Sequence, residues 1–172
     1  MEQQQPHIPF RPEARDFPGH PMPPSVPAGL RLELSRSRIR EGSDEGFDHW
    51  MDELHERYDE CLASIPAERA VFEATFKHRE ADGSIWIYHL SLMGQGDGLN
   101  EELPIGATHA NYSRTVKEPG WEELEPKFML TPDHLRAAMI QWGATGQVPP
   151  VNSPDDLPTT NDATTANTGH PE

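Results

Sequence analysis

Over residues 43–65 the large apolar side chains fall at Phe47, Trp50, Met51, Leu54, Tyr58, Cys61, Leu62 and Ile65, the three- and four-residue steps that trace one stripe of an α-helix. Asp48, Asp52, Glu53, Glu56, Asp59 and Glu60 cover its other faces. At ~1.5 Å of rise per residue such a helix spans on the order of 33 Å, so its stripe needs a broad apolar partner. Both flanks read as β-strands, and a sheet is that partner. Ser43 is the expected N-cap, followed by Asp44 and Glu45 where carboxylates suit the helix dipole, and Pro66 is the expected end.

Residues 30–39 alternate as a strand does, with Leu30, Leu32 and Leu34 on one side and Arg31, Glu33 and Ser35 on the other. Beyond the helix, residues 69–78 and 84–92 form two β-rich runs joined through Ala81-Asp82-Gly83, a hairpin signature. A two-residue Asp82-Gly83 loop sets Phe76 opposite His89 and Thr75 opposite Leu90. One face then holds Phe72, Ala74, Phe76, Ile85, Ile87 and His89, apolar enough to lie beneath the helix. The other holds Val71, Glu73, Thr75, Lys77, Trp86, Tyr88 and Leu90, an unusual mixture for a surface open to water.

After Gly94, Gly96 and Gly98, residues 107–118 read as a second helix carrying His109, Tyr112 and Arg114 and ended by Pro119-Gly120. The glycines form a flexible loop rather than a phosphate cradle, because no GK[ST] follows them. Residues 124–130 read as a last strand, which Pro126 restricts to a sheet edge. Thr131-Pro132 then opens a short helix with Leu135, Ala138, Met139 and Trp142. The order β, α, β, β, α, β plus a C-terminal helix predicts an α+β ferredoxin-like domain whose helices cover one face of a four-stranded antiparallel sheet.

That domain is expected over residues 29–142. Residues 1–28 hold eight prolines and no apolar period, and residues 143–172 are proline-, threonine- and asparagine-rich, so both are expected to be disordered tails. Pro21 and Pro24 fit a PxxP spacing, a weaker reading than plain flexibility. The net charge of −15 disfavours nucleic acid and anionic membrane as partners. No apolar run approaches the ~20 residues of a bilayer span, no signal peptide opens the chain, and the lone Cys61 makes no internal disulfide, so a cytoplasmic protein is expected. Cys61 lies on the apolar stripe and reads as a core residue rather than a reactive thiol.

The runs LRLELSRSRIREG leading into FDHWMDEL, then FEATFKHREADGSIWIYHL, the histidine of the second helix and WEELEPKFML together resemble an uncharacterised bacterial ferredoxin-like family, itself similar to dimeric α+β barrel proteins. The resemblance covers about residues 29–131. It implies a homodimer in which the open sheet faces of two subunits close over an interior cavity. Better-known barrels of this kind use the cavity as cofactor-independent oxygenases, haem-degrading enzymes, or small isomerases and cyclases. No residue set here selects one of those activities.

The residues expected to carry chemistry are Glu73, His109 and Tyr88 as acid/base groups, with Glu33, Trp86, Leu90, Tyr112 and Arg114 around a small apolar or aromatic ligand. A carboxylate desolvated by aromatic neighbours titrates closer to neutral pH, and histidine exchanges protons there without perturbation. The plainer roles are cross-strand pairing of Glu33 and Glu73 with Arg31, Lys77 or Arg79, a His109 bonded to backbone or water, and a His89 satisfied in the core. Neither a metal nor another cofactor is expected: Glu33, Glu73 and His109 have the right chemistry for a divalent ion but no supporting spacing, and GxSxG and zinc-type Cys/His patterns are missing from the sequence. Two functions compete. One is a dimeric small-molecule-binding protein with acid/base chemistry in a sheet-lined cavity; the other is a non-catalytic dimer that contacts another protein through its acidic helix and tails.

Overall fold

A computed structural model describes residues 19–147 of the chain. Its elements run β1 Arg31–Arg38, α1 Asp44–Glu56, α2 Tyr58–Glu68, β2 Ala70–Arg79, β3 Ile85–Met93, α3 Pro104–Val116, β4 Glu122–Leu124 and α4 Asp133–Thr145. The strands form one antiparallel four-stranded sheet in the order β2-β3-β1-β4. The fold is therefore α+β, and β4 is at an edge as expected. No helix among the described residues is long and apolar enough to cross a membrane.

The long amphipathic segment folds as two helices rather than one. Its backbone departs from helical geometry at Arg57 (φ −107°, ψ 30°), whose guanidinium donates to Glu53, Glu60 and Thr108 of α3. The break splits the stripe. Phe47 and Trp50 of α1 are buried, whereas Tyr58 and Leu62 of α2 are 61% and 52% exposed and Cys61 is half-buried. Pro66 does not end the helix: it lies inside α2, which stops at Arg69 in the left-handed conformation (φ 59°).

The hairpin departs from expectation in a way that matters for function. Glu80 and Ser84 close it with an N–H···O bond of 2.8 Å, leaving a three-residue loop of Ala81, Asp82 and Gly83 in which Gly83 alone has positive φ (84°). Asp82 accepts hydrogen bonds from the Ser84 N–H and hydroxyl and fixes this turn. Phe76 consequently pairs with Tyr88 and Ala74 with Leu90. A slip of one residue turns every β2 side chain to the opposite face. Ile85, Ile87 and His89 face the helices as expected, but they are joined there by Glu73, Thr75 and Lys77. Phe72, Ala74 and Phe76 share the second face with Trp86, Tyr88 and Leu90. The β1 register puts Glu33, Ser35 and Ser37 on the helix face and Leu32, Leu34 and Arg36 on the other.

Two apolar clusters sit on opposite sides of the sheet. Beneath α1 and α3, Ile39, Phe47, Trp50, Ile87 and Val116 pack with Met51, Leu54, Ile85 and Tyr112. On the second face, Val26, Leu30 and Leu92 pack with Leu32, Phe72, Met129 and Met139 of α4, and the Trp142 indole donates to the Ala70 carbonyl at 2.6 Å. The packed region thus extends beyond residues 29–142, since Val26 and Pro27 are buried and α4 runs to Thr145. Residues 1–18 and 148–172, most of the two expected tails, lie outside the described residues. The last strand is also shorter and earlier than expected, three residues before Glu125-Pro126. It is anchored from both faces by Arg31 to Glu123 and Arg36 to Glu122.

Gly94 lies in a tight backbone contact rather than a free loop. A Cβ there would fall inside van der Waals contact of the Gly143 carbonyl of α4, and one at Gly96 would meet the Glu68 carbonyl at the end of α2. Backbone on both sides leaves no flexible group to yield. Gly94→Ala is expected to cost about 1–3 kcal/mol, the usual range for overpacking. A urea midpoint equal to that of wild type would show that α4 does not press on this strand end.

Candidate functional site: a cleft on the helix side of the sheet

A concavity of about 570 Å³ opens between the helix face of the sheet and the α1–α3 pair. The sheet floor supplies Glu33, Ser35 and Ser37 from β1, Thr75 from β2, and Ile87 and His89 from β3. Trp50 and Met51 of α1 form one wall, and His109, Ser113 and Arg114 of α3 another. The turn after α3 closes the rim with Lys117, Glu118 and Trp121. The alternation of β1 places its small serines here and so leaves the space open.

Trp50 organises the interior. It is 2% exposed, its ring lies 4.9 Å from that of His109 at 70° and stacks on Tyr112 at 5.8 Å. The ammonium of Lys117 sits 5.4 Å from the same ring centroid, within cation–π range. The indole N–H is buried without a hydrogen-bond partner among the described residues. Such a donor is costly to leave unmet, because it loses water and gains nothing in return.

The titratable groups in this cleft are shifted by their surroundings. Burial, then the charge of Lys117 and the neighbouring His89, lower His109 to about 4. Burial first and Lys117 next also lower His89, while Glu33 opposes them. Both imidazoles are therefore neutral at pH 7. Burial alone lowers Lys117, and among the described residues no carboxylate pairs with it. Glu33 is held by Arg31 at 3.4 Å, Arg114 is engaged by both oxygens of Glu101, and the Arg40 guanidinium donates to the carbonyls of Lys117 and Arg114.

Of the eight residues expected to form a site, Glu33, His109 and Arg114 line this cleft. Tyr112 stands behind it, stacked on Trp50 and donating to Glu53 at 2.9 Å, a contact that raises its phenol pKa. Tyr88, Trp86 and Leu90 are on the other side of the sheet, where Arg36 stacks over Trp86 at 4.3 Å and donates to Glu122. The expected pairing of Glu73 with Tyr88 and Leu90 is therefore corrected: the three-residue hairpin loop puts the sheet between them. Glu73 is on the helix face of edge strand β2, outside the cleft lining. Surrounding protein and then Glu68 raise its carboxyl, even though water still reaches its surface. Lys77 and Arg79, its expected partners, are bound by Asp44 and Asp48 instead. Glu33, Glu73 and His109 do not converge, and no group of three His, Cys, Asp or Glu among the described residues is placed to hold a metal.

Three functional candidates escaped the sequence reading. Lys117 falls near the end of the second expected helix with no partner in any local pattern, Trp50 has the spacing of a core residue, and His89 reads as buried and satisfied. Their meeting depends on the crossing of α1 and α3 over β3, which no local spacing reports.

A family model matches residues 30–137, from β1 into α4, and so contains every cleft residue named above. The chain belongs to this family, DUF6176, a family of unknown function. No curated protein matches the chain. Membership in DUF6176 covers the sheet, the α1–α3 pair and the cleft together, and it assigns no reaction to them.

Proposed function

We propose that this DUF6176 protein is a homodimer of ferredoxin-like subunits that binds a small molecule in the helix-side cleft and exchanges protons with it through His109. The observation that carries this reading is the meeting of His109, His89 and Lys117 around the buried Trp50 in one cavity. At pH 7 the His109 imidazole is in the neutral form that a transient proton acceptor needs, and an ammonium beside it stabilises the negative charge that develops on the molecule that loses the proton. The cavity expected on the open sheet face is thereby relocated to the helix side, and Glu73 and Tyr88 yield the acid/base role to His109. Ser113 and Thr75 supply hydroxyls at the cleft wall for orientation.

The test is an NMR titration of the histidine imidazoles with a library of small organic molecules. Binders are expected to shift His109 and His89 together. A set of binders that shifts only Trp86 and Tyr88 signals would place the site on the opposite face and overturn the proposal.

The strand order β2-β3-β1-β4 is that of a ferredoxin-like sheet, and the dimer reading rests on the open part of its second face. Phe76 is 55% and Leu124 39% exposed there, beside Trp86, Tyr88 and Leu90. An apolar patch of this kind on a monomer attracts a partner, and an antiparallel sheet face pairs well with a second copy. Light scattering coupled to gel filtration at micromolar concentration is expected to give twice the chain mass. A monomer peak with native circular dichroism would sink the dimer.

A further inference from the structure

We propose that the cleft selects a small organic monocarboxylate with a flat apolar body, anchored through its carboxylate on Lys117 and lying against Trp50 and Trp121. This inference rests on the small-molecule reading above and goes further in naming the chemical class. Among the described residues, Lys117 is the cation of the cleft that is drawn out of water without an ion pair: Arg114 is bound by Glu101, and Arg40 is exposed to solvent, its Nε and Nη2 donating to carbonyl oxygens. A half-buried ammonium facing two neutral imidazoles and an indole has lost water without gaining an anion. A bound carboxylate corrects this, and the orphan indole N–H of Trp50 is a donor suited to the same kind of acceptor. The charge balance sets the valence. Glu33 and Glu118 also line the cleft, so a single negative charge meets Lys117 while a phosphate dianion meets their repulsion as well. Met51 and Ile87 next to the two tryptophans supply the apolar surface for the body of the ligand. The depressed pKa of Lys117 agrees, because an anion restores the charged form.

Calorimetry of the full chain with benzoate, benzamide, benzylammonium and inorganic phosphate tests this. Benzoate is expected to bind at least about tenfold more tightly than benzamide, and benzylammonium and phosphate are expected not to compete with it. Lys117→Met should remove the preference for benzoate, and Lys117→Arg should keep it. Affinity in the wild type should also fall as pH rises through the titration of Lys117, a readout that needs no variant to fold. Benzamide or benzylammonium binding as tightly as benzoate, with His109 and His89 shifted, would overturn the carboxylate class while leaving the small-molecule reading standing. Phosphate competing as well as benzoate, Lys117→Met binding benzoate like wild type, or an absence of benzoate binding would each overturn the proposal.

Discussion

Trp50→Ala is expected to destabilise the fold by about 3–5 kcal/mol, the range for truncating a large buried aromatic. Trp50 contacts Phe47 edge-on at 6.0 Å, His109 at 4.9 Å and Tyr112 in a stack, so its removal empties a space bounded by α1, α3 and β3 together. Collapse into that space is hindered because its walls belong to three different elements. The same substitution removes a wall of the cleft and the ring that faces Lys117, so binding should fall along with stability. Chemical denaturation followed by far-ultraviolet circular dichroism measures it. A midpoint unchanged from wild type would show that α1 does not pack on the sheet through this residue.

Stability is also expected to fall by about 2–3 kcal/mol between pH 6.5 and 4 through His109, with partial exposure of the ring holding the effect below its fully buried value. The sign follows from the two states. His109 titrates at about 4 when folded and near 6.5 when free, so on acidification the unfolded chain binds the proton first. The contribution is complete above about pH 6.5 and is lost as pH falls toward 4. His89 acts in the same direction. Glu73, whose carboxyl is raised, acts in the opposite one. Comparing denaturation curves of wild type and His109→Gln isolates the term: the variant should lose less stability across this window. Equal losses would mean that the ring is already solvated and is not the neutral group that proton exchange in the cleft requires.

The helix-side chemistry was only partly legible in the residues. His109 and Arg114 were found because polar side chains on a short helix stand out, and Glu33 because it alternates with leucines. Lys117 and His89 were missed as members of a site for a shared reason. A residue gains meaning in a cleft from what surrounds it, and a lysine at a helix end or a histidine in an apolar strand has no local mark of its surroundings. The error over Glu73 came from one residue of hairpin geometry. Asp-Gly suits both a two-residue turn and the end of a three-residue loop, and local preference does not separate them. The Asp82–Ser84 hydrogen bonds favour the longer loop.

Periodicity by itself determined that a helix with Phe47 and Trp50 on its stripe lies over an antiparallel sheet. This follows from chain geometry repeated over many residues, where one wrong residue does not change the pattern. The edge position of the last strand was read instead from the single Pro126, which falls just past β4. Tertiary structure alone decided which face each β2 side chain takes, where the long helix breaks, and which groups meet around Trp50. These outcomes depend on single contacts: the Glu80–Ser84 hydrogen bond, the reach of Arg57 to Thr108, and the approach of Lys117 to an indole 67 positions earlier. The last two join distant parts of the chain, and the first is one bond that chooses between two turns of equal local preference. No repeat announces them.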